Sequence, residues 1–213
     1  MATVDESVSG TVTKVSPMYV KEMPITEGEH KLQYSYKLSF FVRPNGKFDP
    51  EDYASYVQPV AVVKTVEQFW RIFMHFKRPT DMEMGDKADI HFFKNGIMPV
   101  WEDPANIKGG KWIIRLKKGL STRMWENLIL AVIGEQFLVG EEICGAVCSI
   151  RNQEDIISLW TKSADNLGIT NRIRETLRAV LNLPQNTVLE YKKHDDCLKD
   201  QSSYRHTTNI YKC

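Results

Sequence analysis

Trp101, Glu102 and Asp103 stand side by side ahead of Pro104 and the pair Gly109-Gly110, and the residues that follow alternate. Trp112, Ile114 and Leu116 fall on one side and Lys111, Arg115 and Lys117 on the other, the period of two of a half-buried strand with an apolar face and a cationic one. An aromatic plane, a carboxylate and cations within one strand length suit a purine nucleotide. The ring stacks on Trp101, Glu102 accepts from ring N–H groups, and Lys111 and Arg115 take the phosphates. Guanine fits better than adenine, because N1–H and the N2 amino group offer two donors to one carboxylate. Guanine methylated at N7 fits better still, since a cation held against an aromatic face gains about 0.5–2 kcal/mol. The bland alternative packs Trp101 into the core and leaves Glu102 as a solvated loop acid.

The elements that must position these residues can be read along the chain. Residues 1–28, with Pro17, Pro24 and Gly28 and no sustained periodicity, read as a flexible tail ahead of a single domain spanning 29–213. Tyr34 to Val42 alternates as a first strand, Arg43-Pro-Asn-Gly-Lys is a turn, and a loop holding Tyr53 and Tyr56 leads to a second strand, Val57 to Val63. Pro59 places that strand near a sheet edge or bulge. Thr65 caps a helix from Val66 to about Phe76, whose apolar arc is too wide for one buried face, so that Trp70 stays partly exposed. A strand from Ala88 to Phe93, the turn Asn95-Gly96, the Trp101 loop and the Lys111 strand follow. Ser121 or Thr122 caps a helix through Ile133, stopped by Gly134. Gly145 to Arg151 and Asp155 to Trp160 form a hairpin with Arg151 near its tip. A third helix runs from about Ile169 to Leu181 and ends before Pro184, followed by a strand from Val188 to Tyr191. Residues 196–213 form a polar loop with a possible last strand around Thr207 to Tyr211. Short connections at Asn95-Gly96 and at Asn152 to Glu154 favour antiparallel pairing, so the class is α+β.

Composition limits the function. The chain has 213 residues, 42% hydrophobic and 26% charged, enough for one full core. Its formal charge of +1 excludes a general nucleic-acid coat and leaves a local pocket. Cys144, Cys148, Cys197 and Cys213 lack CxxC spacing, and neither a signal peptide nor a membrane span is evident, so the expectation is a cytoplasmic protein. His30, His75, His91, His194 and His206 show no paired spacing for a zinc or nucleophilic site. Neither clustered glutamates on a Gly-containing loop nor a Gly-rich cofactor loop is present, which argues against a metal-dependent nucleotide hydrolase and against a methyltransferase. No enzyme, cofactor or metal is expected.

Several ordered blocks, among them His30-Lys-Leu-Gln-Tyr-Ser-Tyr, Thr65-Val-Glu-Gln-Phe-Trp-Arg, Phe93 to Asp103, Gly109 to Leu116, Trp125 to Phe137 and Glu142 to Arg151, give the chain its resemblance to the eukaryotic translation initiation factor 4E family, over about residues 30 to 196. It looks most like the 4E homologous subclass. The resemblance implies a curved antiparallel sheet of about eight strands, three long helices on its convex back and the 7-methylguanosine cap of messenger RNA in its concave front.

By the same resemblance Trp101 and Tyr53, which its spacing to Trp70 favours over the rival Tyr56, sandwich the base, Glu102 reads its edge and Trp160 touches the N7-methyl group. Lys111 and Arg151 bind phosphates, with Arg115 and, more weakly, Lys199 as further candidates. Tyr53 stands where most members have tryptophan, and Ile156 where typical members have a phosphate-binding lysine. On the convex side His30, Leu32, Val66, Trp70, Asn127 and Ile129 match the surface that receives a Tyr-x4-Leu-apolar helix. After Trp125 typical members continue Leu-Glu, whereas here Glu126-Asn127 follows, which implies weak binding to the scaffold factor 4G. A monomeric, message-selective repressor is expected. The alternatives are an initiation factor that recruits the scaffold for a subset of messages and a protein-interaction module with residual cap binding.

Overall fold

The computed structural model describes residues 20, 22–44, 49, 52–82 and 87–207. Within them seven strands form one antiparallel sheet: β1 (Lys31–Val42), β2 (Gln58–Thr65), β3 (Ala88–Lys94), β4 (Gly110–Lys117), β5 (Ile143–Ile150), β6 (Glu154–Thr161) and β7 (Glu190–Lys193). Their order is β2-β1-β3-β5-β6-β4-β7. The helices are α1 (Tyr53–Tyr56), α2 (Val66–Phe73), α3 (Ser121–Ile133), α4 (Leu167–Val180) and α5 (His194–Asp200). None of these is long and apolar enough to cross a membrane. The expected α+β class holds, with seven strands described rather than about eight. The strand expected around Thr207 to Tyr211 falls beyond the described residues after Thr207, as does nearly all of the tail before Glu22.

Alternation decides which side chains face the helices. Tyr36, Leu38, Ile90, Phe92, Trp112, Ile114, Ala146, Ile157, Leu159 and Tyr191 join α3 and α4 in the main core. Tyr36 stacks on Phe92 at 4.8 Å between ring centroids. The intervening residues, including Asp89, His91, Val147, Ser149, Ile156, Trp160, Lys111 and Arg115, therefore share the opposite, concave face. Pro59 sits where two rules place it, on an edge strand and at a register shift between Leu38 and Ser39.

Local signals settled some boundaries and missed others. Thr65 caps α2 by accepting from Gln68 N–H at 3.1 Å, as expected. Neither Ser121 nor Thr122 caps α3. Leu120 precedes the helix, Ser121 is buried with its hydroxyl unpartnered, and Thr122 Oγ1 bonds to Thr80. Asn95-Gly96 is a turn but not a hairpin: β3 pairs with β1 and β5, while β4 lies between β6 and β7. Nothing in the polar residues 194–200 announced α5, which the structure places immediately after β7.

Candidate functional site

The loop carrying Trp101 is held by its own side chains. Asp103 accepts from Met98 N–H and Ala105 N–H, both at 2.9 Å, and the buried Asn106 donates to the carbonyls of Met98 and Val100, both at 2.8 Å. Asp103 is thus a scaffold residue, while Glu102 is exposed and makes no hydrogen bond to any described residue. The loop rejoins the sheet through Gly109 and Gly110. A Cβ at Gly109 would stand 1.7 Å from the Thr161 carbonyl oxygen, and one at Gly110 2.6 Å from the Tyr191 hydroxyl. The glycine pair is required by this close approach rather than by turn geometry.

Trp101 is half-buried and packs against a small second core of Phe93, Cys144, Val147 and Trp160. Trp160 itself is only 4% exposed. It meets Phe93 edge-on at 5.3 Å and His194 at 4.2 Å, so it forms the floor of the site, not an open wall. His194 is fully buried, and burial, with the Lys111 ammonium adding to it, pushes its pKa down to about 2, which keeps the imidazole neutral.

The face of β4 expected to be an open cationic surface is largely buried. Lys111 is fully enclosed, and burial lowers its pKa to about 8. Its Nζ lies 5.7 Å from the Trp101 ring centroid and 5.1 Å from that of Trp160, and it donates to Ser203 Oγ at 2.5 Å. Arg115 does share this face, as the alternation required, but its guanidinium is bracketed by Glu190 at 3.1 Å and Glu154 at 2.7 Å. Arg151, near the tip of the β5–β6 hairpin as expected, donates to Asp89 Oδ1 at 2.8 Å and to the carbonyls of Ala88 and Ile150. Arg115, Glu154 and Arg151, but not Lys111, edge an open cavity of about 660 Å³ together with Lys87, Lys117, Asn152 and Gln153.

Tyr53 lies in the single turn α1 rather than in a loop. Its ring packs on Phe41 at 4.6 Å, and its hydroxyl is 2.8 Å from His91 Nε2 and 3.4 Å from Asp89 Oδ2. Burial raises the Tyr53 pKa well above 10 and lowers that of His91 to about 4, so both are neutral. Lys199 does not join the cluster: it turns outward on α5 and pairs with Asp195 four residues back. Lys192, which the sequence reading passed over, does join it, donating to Asp200 at 2.6 Å and to the Ser202 carbonyl at 3.0 Å. Asp89, His91 and Lys192 were legible as polar positions in alternation with Ile90, Phe92 and Tyr191. Tyr204, whose hydroxyl lies 2.6 Å from Ser149 Oγ, carried no local signal.

On the convex side Trp70 is 37% exposed, as the wide apolar arc of α2 required, and His30 bonds Glu67 at 2.7 Å. Trp70, Phe73, Met74, Arg78, Trp125 and Glu126 line a groove of about 360 Å³. Ile129 belongs to the core instead, fully buried beneath α3, and offers no surface to a partner.

Residues 31–209 match the family described as eukaryotic initiation factor 4E. Eukaryotic translation initiation factor 4E-4 of Caenorhabditis elegans is 75% identical over 197 residues, 92% of each chain. The fold is similar to that of C. elegans eIF4E-3 solved in a complex with the 4E-binding protein Mextli and a cap analog, with a TM-score of 0.75 at 31% identity over 84% of this chain and 99% of that one. Ascaris suum eIF4E-3 with an m2,2,7G cap gives a TM-score of 0.74 at 33% identity, over 84% and 96% of the two chains. The loop, the sheet and its two faces, together with these likenesses over nearly the whole chain, establish that it belongs to the eukaryotic initiation factor 4E family, a family of cap-binding proteins and not of enzymes.

Proposed function

We propose that this chain binds the 7-methylguanosine cap of messenger RNA on its concave face. The observation that carries the reading is the uncommitted carboxylate of Glu102 beside a half-exposed indole, on a loop that Asp103 and Asn106 hold rigid. Trp101 stacks on the base, Glu102 accepts from N1–H and N2, Tyr53 supplies the second ring, and Trp160 backs the methyl group. Lys111 and Arg151 take the phosphates, with Arg115 assisting once its acidic neighbours are outcompeted. The relatives solved with a cap analog and with an m2,2,7G cap support the same assignment for this chain. The test is retention on a 7-methyl-GTP resin against a GTP resin. Wild type should be held by the first alone, and Trp101→Ala by neither. Equal quenching of tryptophan fluorescence by both nucleotides would remove the sandwich.

The convex groove suggests the consequence of binding. A partner helix of the Tyr-x4-Leu-apolar form anchors on Trp70, with His30, Leu32, Val66 and Asn127 around it. Support comes from the C. elegans relative solved with the 4E-binding protein Mextli. Glu126 lines this groove where an apolar contact favours the scaffold factor 4G. The protein is therefore a monomeric, cytoplasmic, single-domain (29–213) cap binder that occupies a subset of messages without recruiting the scaffold, and so represses them. Tethering it to a reporter message and measuring protein per transcript tests this. Increased output with stoichiometric factor 4G would make it an activator.

A further inference from the structure

Ser149 on β5, Ile156 and Ser158 on β6, Lys111 and Ile113 on β4 and Lys192 on β7 all face the concave side, and none is more than 3% exposed. The chain's own C-terminal segment lies over them. At the end of α5 Gln201 adopts a left-handed conformation (φ 47°), and Ser202 N–H donates to the Cys197 carbonyl at 3.2 Å and to Asp200 Oδ1 at 3.0 Å, which turns the chain back across the sheet. Residues 202–205 are then fastened to three strands. Lys192 donates to the carbonyls of Ser202 and Arg205, Lys111 to Ser203 Oγ, and Arg115 Nη2 to the Tyr204 carbonyl at 2.8 Å, while the Tyr204 hydroxyl meets Ser149 at 2.6 Å.

Tyr204 spans a particular residue. Ile156 pairs in register with Arg115 on one side and Ser149 on the other. Tyr204 bonds to both of those neighbours, to Arg115 through its carbonyl and to Ser149 through its hydroxyl, so it bridges β4 and β5 across the strand that carries Ile156. The Tyr204 ring also lies 4.8 Å from Lys111 Nζ, which places the ammonium among three aromatic rings, those of Trp101, Trp160 and Tyr204. Two of these rings, Trp101 and Trp160, are among those proposed to receive the cationic base, and they already face the chain's own cation.

We propose that residues 202–205 form a strap that competes with the cap for the concave face, with Tyr204 as the residue that sets the affinity. The proposal rests on the cap-binding reading above. A nucleotide whose phosphates take Lys111 and Arg115 removes two of the strap's fastenings, so strap and nucleotide exclude one another. The apparent affinity is the intrinsic affinity multiplied by the open fraction, so a strap closed about nine-tenths of the time weakens binding about tenfold. Because the strap's polar groups find water when released, its removal leaves no buried orphan on the tail itself.

The test titrates 7-methyl-GTP into the full-length chain and its Tyr204→Ala and Tyr204→Phe variants, with amide exchange of residues 202–205 followed in free and bound protein. Tyr204→Ala should bind at least about threefold tighter, and Tyr204→Phe, which keeps the ring but loses the Ser149 bond, should fall between it and wild type. Exchange at 202–205 should be slowed by up to about tenfold in the free wild type, the limit that a strap closed nine-tenths of the time allows, and should lose that protection once nucleotide is bound. Affinity unchanged or weakened in Tyr204→Ala, or protection retained in the complex, would overturn the strap while leaving cap binding intact. If neither wild type nor either variant binds 7-methyl-GTP, the cap-binding reading fails first, and the competition with it.

Discussion

The hydroxyl of Tyr53 stands 2.8 Å from Nε2 of His91, and the other ring nitrogen of that buried imidazole meets Ser39 Oγ at 3.3 Å. Tyr53 is therefore tied to the sheet by its polar end as well as by its ring on Phe41. The two uses of the residue can be separated. Tyr53→Trp offers a larger ring for stacking but removes the hydroxyl that meets His91 Nε2, so cap affinity should rise while stability falls by about 1–2 kcal/mol. Tyr53→Phe should show the stability loss with less than about a twofold change in cap affinity, since the stacking surface is nearly the same. Thermal melts and nucleotide titrations on both variants check this. A loss of cap binding in Tyr53→Phe would mean that the hydroxyl, not the ring, does the recognition.

His194 and His91 give the fold an acid limb. Burial holds them at about 2 and about 4, both below the 6.5 of an unfolded histidine. Below 6.5 the unfolded chain takes up protons that the folded chain refuses, so stability is lost as pH falls from 6.5, through about 4 for His91 and further for His194. Each group contributes a slope of at most about 1.4 kcal/mol per pH unit. His194→Phe keeps a ring against Trp160 and removes one of the two titrations. Urea unfolding at pH 7 and pH 5 should show a smaller acid loss in this variant. An identical loss would mean that His194 is not the group charging on unfolding.

Lys111 titrates in the opposite range. Its folded pKa of about 8 lies below the 10.5 of a free lysine, so the penalty for enclosing its charge is present below about 8 and is relieved as pH rises towards 10.5. A phosphate beside Nζ favours the charged form and should raise that pKa again. Binding of 7-methyl-GTP at pH 8.5, where most of Lys111 is neutral, should therefore draw a proton from the buffer. Calorimetry in two buffers of different ionisation heat measures this uptake. Lys111→Arg, charged throughout, should lack the lysine's share, while any proton change on the nucleotide is common to both proteins. Equal uptake in the two would remove Lys111 from the phosphate site.

How far the sequence carried depended on the range of the interaction. Alternation in β4 placed Lys111 and Arg115 on one face correctly, and the wide apolar arc of α2 foretold the exposure of Trp70, because both are properties of one element. The burial of Lys111 is not. It depends on Ser203 and Tyr204, about ninety residues downstream, which reach it only because α5 and Gln201 turn the chain back. Ile129 went wrong for a related reason: helical spacing puts it near Trp125, but the packing of α3 on β5 and β6 decides which of the two flanks is solvent. The Asp103 and Asn106 bonds that stiffen the Trp101 loop are local, and could have been read from an Asp two residues ahead of a turn N–H.

The groove proposed for a partner helix lies on the opposite side of the sheet from the proposed cap site. Trp70 is exposed on α2, and Trp125 and Glu126 close the groove from α3. An indole at the centre of such a groove supplies most of the energy of helix docking, and its truncation typically costs 2 kcal/mol or more, about a thirtyfold loss of affinity. Trp70→Ala should lose Tyr-x4-Leu peptides and still be retained on the cap resin, because the sheet lies between the two faces. Glu126 acts by a different term. Where a partner presents an apolar side chain, the carboxylate loses water without gaining a donor, at a cost of about 1–3 kcal/mol. Glu126→Leu should then raise affinity for a factor 4G helix by about tenfold or more while leaving peptides with a polar or cationic residue at that place unchanged or weaker. Fluorescence anisotropy with the two peptide classes on wild type, Trp70→Ala and Glu126→Leu decides it. If Glu126→Leu binds the factor 4G helix no better than wild type, the block to recruitment lies elsewhere on this face, and the repressor reading loses its structural cause.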